Sequence, residues 1–486
     1  MDKSVRITGI ILLATAPFVL YAICMLLPTF DDWTYITSPY MGELLNPERL
    51  CPNENYWRPF DGLFGYILGL YPQLFPTLNH ICIFTGHLAC TYVVYLIGKR
   101  IGFKSFSLVV SILFFYLSPA TLGTVYNIDS MNQVYSQFWG LAALYFFLEK
   151  TGKERYLLYG TAVMIATLCK ENGLAWSIIP PVFAFGFHHQ LYPIEKISNG
   201  RRCSQVTTHV LIAVAIVIVY FFLRYILRYS SITLEDNEYL QFTLLDKVKD
   251  FMEFIVYTWI PVDYVCLFHQ PSRNILIVAI TAVFTFPCIL YMLYAGRKNM
   301  LTRPFLTSTV CWILAASPHL LTIFSLMHSY AGLSMAAIML GCLTEGIERE
   351  SDKKRLTSLL GLWLIAVLFI HAHHWMKAYE SGLTGKKMAL QAIEISHGTP
   401  ERVYLITVDD GYPKYSSFCV IPHEAFGWGI AVKYHTHYEW PHEIKDTCIN
   451  ISHINDARQL ADKAYQESYD CVWLTQGKEV KLIEKK

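Results

Sequence analysis

Apolar runs of about twenty residues recur along the first three quarters of the chain. The hydrocarbon core of a bilayer is about 30 Å thick, and a helix needs about 20 apolar residues to cross it. Charged residues make up 16% of the 486 residues, whereas soluble domains carry about 25%. Backbone groups inside lipid must be bonded within the protein, which limits spanning segments to helices and closed barrels. Runs of this length therefore predict an all-α polytopic membrane protein.

The positions of Lys and Arg orient the predicted helices. Short cytoplasmic loops are enriched in these residues, and Lys3, Arg6 and the basic turn 99–104 fall on one side of the alternation. The rule places the N-terminus in the cytoplasm and gives about 11 spans. The predicted spans cover residues 6–27, 77–98, 105–123, 130–148, 156–169, 174–188, 207–228, 274–295, 304–326, 329–345 and 356–376.

The character of the chain changes after Lys377. Residues 1–377 form the predicted transmembrane domain, and its longer extracytoplasmic loops are 28–76 and 229–273. Residues 244–256 of the second loop are amphipathic, which predicts a helix lying in the membrane interface.

Residues 378–486 are polar with short apolar runs. Residues 402–408 and 469–475 are typical of strands, and residues 456–465 are typical of a helix. We expect a small C-terminal α/β domain on the extracytoplasmic side.

Asp, Glu, Lys and Arg are absent from the middle of the predicted spans, and polar groups gather at the outer ends. A proton-coupled pump or an ion carrier usually places an ionisable group within the membrane. A charged cavity at the surface instead favours an enzyme that acts on a lipid-linked substrate. The residues are Asp31, Asp32, Glu43, Glu48, Glu54 and Arg58 in the first outer loop, and Asp129, Lys170, Glu171, Arg224, Arg228, Asp263 and His328 at other outer ends.

Four short motifs follow one another along residues 6–345. F-D-D-W at 30–33 follows the first predicted span, and Y-W-R-P-F at 56–60 precedes the second. L-C-K-E-N-G-L-A at 168–175 ends the fifth span, and M-H-S-Y-A-G-L-S at 327–334 opens the tenth. In this order, and on this side of the membrane, the motifs resemble those of the GT-C superfamily of membrane glycosyltransferases.

The likeness is greatest to the transmembrane O-mannosyltransferases with tetratricopeptide repeats. Protein O-mannosyltransferases and lipid A aminoarabinose transferases are more distant relatives. This chain departs from the pattern at His328, where the branch has a cation, and no tetratricopeptide repeats follow. Its length and its compact C-terminal domain are more similar to bacterial serotype-converting O-antigen glucosyltransferases.

The resemblance implies a sugar transfer in the bacterial inner membrane, with a periplasmic C-terminal domain. A hexose such as glucose would pass from a polyprenyl-phosphate carrier to a glycan or lipid-linked acceptor, such as O-antigen, lipopolysaccharide or another surface glycan. The expected partners are this donor, the acceptor and membrane lipids; a net charge of +1 gives no reason to expect nucleic acid. The alternatives are a transporter or flippase of lipid-linked saccharides, a protein O-glycosyltransferase and a non-catalytic scaffold.

Such a transfer needs a base for the acceptor hydroxyl and positive charge for the departing phosphate. The resemblance places the catalytic acid in the pair Asp31 and Asp32, usually at its first position. Asp31 is therefore the first choice for the base. Adjacent acids share a local field, so Asp32 would act as an orienting group or proton partner. The alternative is a pair of carboxylates that face water at a helix end.

Arg58 is the predicted ligand of the donor phosphate, because a guanidinium can bind phosphate through two donors at once. Pro59 restricts the backbone of the residue before it. A snorkelling arginine at the membrane edge is the alternative. Lys170 and Glu171 would hold phosphate and orient the acceptor, or would form a local ion pair.

Other residues are predicted to bind the donor or the sugar. Arg224 and Arg228 lie four residues apart, which places them on one helix face, where a lipid phosphate would bind. Aromatic rings of the first outer loop could stack on a sugar. The substrate-binding set is Glu171, Trp33, Tyr56, Trp57, Tyr330 and His328.

Neither a metal nor a cofactor is predicted, although a requirement for a divalent metal stays open. His371 and His374 are spaced for shared ligation, but the sequence offers no third ligand nearby. Cys51, Cys419, Cys448 and Cys471 fall in polar regions. A Cys448–Cys471 disulfide and free thiols are both compatible with the sequence.

Overall fold

A computed structural model describes residues 3–33, 58–191, 199–227, 243–260, 271–321, 325–409, 421–437 and 439–485. Tyr56, Trp57, Arg228, Cys51 and Cys419 lie outside these ranges. Asp31 is described through its backbone, which belongs to the 3-10 turn Phe30–Trp33.

The described part of the chain is mainly helical. Its α-helices before the first strand are α1 Lys3–Cys24, α2 Pro59–Gly69, α3 Thr77–Arg100, α4 Ser105–Leu117, α5 Leu122–Val125, α6 Met131–Glu149, α7 Gly152–Cys169, α8 Ile179–Gly186, α9 His188–Leu191, α10 Asn199–Leu227, α11 Leu244–Trp259, α12 Pro271–Gly296, α13 Arg303–Ala316, α14 Ser329–Glu345 and α15 Glu350–Ile395.

Close packing of these helices depends on small residues. α6 packs against α3 and α7, and α14 packs against α4 and α13. A Cβ built on Gly86 of α3 would lie 2.7 Å from Val134 Cγ1 of α6, and one on Gly332 of α14 would lie 2.8 Å from Trp312 Cδ1 of α13. Small residues allow backbones to approach closely where lipid gives no hydrophobic driving force. α14 is buried almost all round, which makes it a central helix of the bundle.

The predicted all-α membrane fold is confirmed, and the number of spans stays a prediction. By length and composition, six described helices can cross a bilayer: Thr77–Arg100, Ser105–Val125, Thr207–Ile226, Ala279–Asn299, Leu326–Glu345 and Glu350–Ile395. Thr8–Cys24 is a shorter apolar helix.

Two predicted spans are interrupted. Span 174–188 consists of the 3-10 turn Glu171–Ser177 followed by α8. Pro180 and Pro181 stand at the start of α8, where a missing N–H is tolerated and a new helix can begin. Span 304–326 ends as an α-helix at Ala316, because the following Ser317–Leu321 segment contains Pro318 and forms a 3-10 turn.

The amphipathic segment in the second loop folds as α11. Leu244 and Leu245 are exposed, whereas Phe254 and Tyr257 are buried. The ring of Phe254 stacks on Trp312 with a centroid distance of 4.9 Å. One end of this helix is therefore anchored in the bundle.

Helix α15 has 46 residues and passes Lys377 without a break. At 1.5 Å per residue it is about 69 Å long, roughly twice the thickness of the hydrocarbon core. The predicted boundary at 377 thus lies inside a helix that continues to Ile395.

The predicted C-terminal α/β domain is confirmed. Its strands are β1 Arg402–Asp409, β2 Glu443–Asn450, β3 Cys471–Gln476 and β4 Glu479–Leu482, in the order β2-β1-β3-β4. β1 is parallel to β2 and β3, and β4 is antiparallel to β3. Helices α16 Pro422–Ala425 and α17 Ile430–His435 pack on α15, and α18 Ala457–Gln466 contacts β1 and β3.

Cys448 and Cys471 are free thiols. They lie on β2 and β3, which flank β1 on opposite sides. Neighbouring strands are about 4.8 Å apart, so the two residues exceed the roughly 7 Å Cα separation that a disulfide tolerates. Of the two alternatives that the sequence left open, a Cys448–Cys471 disulfide and free thiols, the structure shows free thiols.

Candidate active site

The acidic turn Phe30–Trp33 follows the end of α1. Its Asp32 side chain is 3% exposed. Asp32 Oδ2 accepts a hydrogen bond from the Thr29 backbone N–H at 3.2 Å, and Oδ1 accepts one from the Asp129 N–H at 2.9 Å. Burial raises the pKa of Asp32 to about 7, although both backbone donors act to lower it. This carboxyl group is therefore fixed in place and can exchange a proton near neutral pH.

Asp129 joins the acidic turn to the cations. It lies in the 3-10 turn Ile128–Ser130, directly before α6. Burial raises the pKa of Asp129, and the charges of Lys170 and Arg58 offset part of that rise. The negative charge of Asp129 in turn raises the pKa of Asp32.

Arg58 is held by an ion pair across the bundle. It precedes α2, whose first residue is Pro59. Its Nε lies 2.9 Å from Glu171 Oε2, and the two side chains are 16% and 27% exposed. Both residues are predicted site residues, and the structure places them in direct contact. Glu171 thus orients the guanidinium of Arg58.

Lys170 ends α7 with an extended backbone, at φ −158° and ψ 143°. The residue is 6% exposed. Among the described residues, its ammonium group makes one hydrogen bond, to Met327 Sδ at 3.3 Å. Burial and the neighbouring Arg58 charge lower the pKa of Lys170 to about 8, and Asp129, Glu171 and Asp61 act in the opposite direction.

Two histidines stack beside these cations. The rings of His319 and His328 have a centroid distance of 4.1 Å and an interplanar angle of 18°. Asn172 Nδ2 lies 3.2 Å from His319 Nε2, and the Ser325 N–H donates to His328 Nδ1 at 3.1 Å. An unprotonated Nε2 of His319 can accept the Asn172 hydrogen bond.

The first turns of α6 carry a buried polar band. Asn132 Nδ2 donates to Asp61 Oδ2 at 3.1 Å, Ser136 Oγ donates to Asn172 Oδ1 at 3.1 Å, and Gln137 Nε2 donates to Ser334 Oγ at 2.6 Å. The helix continues beyond Gln137 with aromatic and aliphatic residues as far as Leu148. The buried polar groups of α6 therefore lie at one end of the bundle, the end that also holds Arg58, Lys170 and Asp129.

The structure brings several predicted site residues together from distant parts of the chain: Asp32, Arg58, Lys170, Glu171 and His328. Further residues of the cluster are Asp61, Asp129, Asn132, Asn172 and His319. Asp129 was noted only as a charge at an outer helix end, and Asn172 belongs to the K-E-N-G motif. The sequence gives no signal for His319.

Two predicted sugar-binding rings lie elsewhere. Tyr330 is fully buried in α14, and its hydroxyl lies 2.9 Å from His87 Nδ1. Trp33 is 2% exposed, and its Nε1 donates to Ala425 O at 3.3 Å. The structure assigns both rings to packing instead of sugar contact, because each is enclosed by protein.

Arg224 lies near the end of α10 and is half-buried. The charges of Arg224, Arg58 and Glu171 all act on the Tyr220 hydroxyl. Arg224 is therefore adjacent to the cluster through Tyr220.

In the described part of the chain, no group of three His, Cys, Asp or Glu residues could hold a metal ion. His371 Nδ1 lies 3.0 Å from the Tyr126 hydroxyl, and Nε2 lies 3.1 Å from Leu117 O. Both ring nitrogens of His371 are thus engaged by protein groups.

The fold matches that of a solved membrane protein. The crystal structure of ArnT from Cupriavidus metallidurans bound to undecaprenyl phosphate aligns with a TM-score of 0.50 and 10% sequence identity, covering 97% of each chain. This likeness confirms the expected GT-C-like fold.

Two crystal structures of the Archaeoglobus fulgidus oligosaccharyltransferase also align. The apo form has a TM-score of 0.44 at 11% identity, covering 86% of this chain and 61% of that chain. The complex with Zn and sulfate has a TM-score of 0.46 at 12% identity, covering 92% and 64%. No protein-family model and no curated protein matches the sequence.

Proposed function

We propose that this chain is a membrane glycosyltransferase that moves a sugar from a polyprenyl-phosphate carrier to an extracytoplasmic acceptor. The observation that carries the proposal is the Lys170 ammonium group. It is 6% exposed, and among the described residues its hydrogen bond goes to the thioether of Met327. A thioether is a weak acceptor, and a buried charge is costly unless it is paired. A phosphate oxygen of the donor would supply the strong hydrogen-bond acceptor that this ammonium group does not find among the described residues.

Arg58 supplies the second cation for the phosphate. Its position is fixed by Glu171, so little reorganisation is needed when charge develops on the leaving group. Arg58 and Lys170 act on each other electrostatically, which is expected of two cations that share one anionic ligand. Charge-assisted contacts of this kind are stronger than neutral hydrogen bonds.

The acidic pair supplies the base. In the proposed step the acceptor oxygen attacks the anomeric carbon, and the bond from that carbon to the phosphate oxygen breaks. The electron pair of this bond leaves on the phosphate, and the acceptor proton passes to a carboxylate of Asp31 or Asp32. A base works best when its pKa lies near the operating pH, and the pKa of Asp32 is about 7.

The distribution of polar groups along α6 favours an enzyme over a transporter. The buried polar side chains of α6 end at Gln137, and the rest of the helix is mainly apolar. A conduit needs polar groups through the depth of the membrane. The solved neighbour ArnT is bound to undecaprenyl phosphate, which supports a polyprenyl-phosphate donor here.

The finer assignments rest on the sequence resemblance. We propose a hexose such as glucose as the sugar, and O-antigen or another surface glycan as the acceptor. The chain would lie in a bacterial inner membrane, with a cytoplasmic N-terminus and a periplasmic C-terminal domain.

The test uses the purified full chain in lipid nanodiscs with undecaprenyl-phosphate glucose, followed by the aminoarabinose and mannose forms. The release of undecaprenyl phosphate and the transfer of sugar are measured. We expect Asp31→Asn or Asp32→Asn to lower the rate by about 10² to 10⁴, and Lys170→Met to raise the donor KM. The controls are Asp352→Asn and Lys104→Met at the opposite end of the bundle. The proposal fails if no donor is consumed by the wild type, or if the site variants behave like the controls.

A further inference from the structure

Trp33 connects the acidic turn to the C-terminal domain. It directly follows Asp32, and its indole N–H donates to Ala425 O at 3.3 Å. Its ring lies 5.9 Å from the ring of Tyr434 and 6.5 Å from the ring of Phe75, measured between centroids. The Tyr434 hydroxyl donates to Phe75 O at 3.3 Å. The indole thus occupies a seam between the bundle and the C-terminal domain.

Gly427 makes room for this indole. Its φ of +60° lies in the left-handed region, where glycine is favoured. A Cβ built on Gly427 would overlap Trp33 Cδ1, Cγ and Nε1. Backbone conformation and space therefore both require glycine at this position, and the two requirements can be separated by experiment.

The acidic turn packs on two other turns. Asp32 binds the Asp129 N–H on one side, in the turn Ile128–Ser130. Trp33 contacts the other side, formed by the 3-10 turn Gly427–Gly429. The turn itself has four residues and follows the non-helical residues 26–29. Its position in space is therefore determined by what it packs against.

We infer that Trp33 is a positioning residue, through which the C-terminal domain holds the acidic turn, and with it the Asp32 carboxyl, against Asp129 and the cations. This inference rests on the proposed function for its effect on catalysis. It makes the C-terminal domain part of the catalytic architecture, in addition to any role in binding the acceptor. A misplacement of about 1 Å in a reacting group can lower a rate by about 10²-fold, so a loosened turn should be visible in kcat.

The test compares two alanine substitutions in the same domain. Gly427→Ala places a methyl group against Trp33. Gly477→Ala is the matched control: Gly477 has a φ of +55°, and among the described residues nothing lies within 4 Å of a Cβ built there. Both variants suffer the strain of a left-handed alanine, and only Gly427→Ala disturbs the indole. The full chain is used in nanodiscs.

The first readout needs no substrate. Hydrogen exchange is measured for a peptide covering residues 26–33. We expect at least tenfold faster exchange in Gly427→Ala than in Gly477→Ala. Equal exchange in the two variants would overturn the inference, whatever the activity of the protein.

The second readout is kinetic. We expect Gly427→Ala to lower kcat by about 10- to 100-fold while the donor KM changes less than twofold, and to move the acidic limb of the rate profile to lower pH. A purely structural defect would lower the amount of active protein without moving that limb, and this result would also overturn the inference. If exchange is faster but the wild type transfers no sugar, the proposed function fails. The contact by which Trp33 fixes the acidic turn to the C-terminal domain is then still supported.

A double-mutant cycle isolates the contact. Trp33→Ala removes the ring that the new methyl group meets. Gly427→Ala should therefore have a much smaller effect on exchange and kcat in the Trp33→Ala background than in the wild type. Additive effects would show that the two residues act independently, which contradicts the inference.

Discussion

Replacing Asp32 with asparagine should change how stability depends on pH. The carboxyl has an ordinary pKa of 3.8 in the unfolded chain and a pKa of about 7 in the folded protein, raised mainly by burial. The folded state therefore binds this proton more tightly than the unfolded state. Stability from this group is fully present below pH 3.8 and is lost as the pH rises through about 7. Asparagine is neutral at every pH and removes this dependence.

The size of the effect follows from the same values. The full difference corresponds to about 4 kcal/mol at 1.36 kcal/mol for each pH unit. Between pH 5 and pH 8, integration of the linkage relation gives a loss of about 2.5 kcal/mol for the wild type. Asparagine offers one acceptor oxygen for the two backbone donors of Thr29 and Asp129, which costs about 1 to 3 kcal/mol. That cost is independent of pH, so the comparison between pH values is unaffected by it.

The measurement is equilibrium unfolding of both proteins in mixed detergent micelles, titrated with a denaturing detergent at pH 5, 6, 7 and 8. The free energy of unfolding of the wild type, relative to Asp32→Asn, should fall by about 2.5 kcal/mol across this range. Asp352→Asn, at the opposite end of the bundle, controls for the substitution itself. Parallel curves for the wild type and Asp32→Asn would refute the burial argument, and so would a wild type that gains relative stability as the pH rises.

Three further predictions concern the cations and the long helix. Lys170→Met should raise the donor KM at least tenfold at pH 7. The donor affinity of the wild type should fall as the pH rises through about 8, where the ammonium group loses its proton. A wild-type donor KM that does not change with pH would contradict this. Arg58→Lys should lower kcat/KM by about tenfold, because lysine keeps the charge but not the planar guanidinium that pairs with Glu171; full activity in donor titrations would contradict this. Gly385→Ala should lower the free energy of unfolding by about 1 to 3 kcal/mol through overpacking. Gly361→Ala on the same helix meets no atom within 4 Å among the described residues and should not lower it, because alanine is the better helix former.

The helices were the most predictable part of the fold, because a bilayer imposes length and polarity on every spanning segment. The predicted span 77–98 corresponds to Thr77–Arg100, and the predicted span 329–345 to Ser329–Glu345. The interruption of span 174–188 could have been read from Pro180 and Pro181, since two adjacent prolines start a helix more readily than they continue one.

Residues with charge at a helix end were the most predictable part of the candidate site. Arg58, Lys170 and Glu171 were recognisable because a charged residue next to a membrane-spanning run is costly and therefore indicates a function. Asp61 lies in the first turn of α2 and carries the same signal, although it was not singled out. His319 carries no such signal, since its burial depends on helices that are distant in sequence. Trp33 shows a different limit: an aromatic ring beside two acids suits sugar stacking and packing equally well in the sequence. Its burial against Ala425 and Gly427, which only the folded chain shows, distinguishes the two.

The packing of helix α15 fixes the number of residues between two of its glycines, Gly382 and Gly385. Gly382 faces Leu27, where an added Cβ would lie 2.7 Å from the Leu27 Cβ, and three residues later Gly385 faces Ala425. An α-helix turns by about 100° for each residue. One residue inserted between these glycines would rotate the rest of the helix by about 100° relative to the part before it. Loops of this protein can accept insertions, but this stretch of helix requires a fixed number of residues.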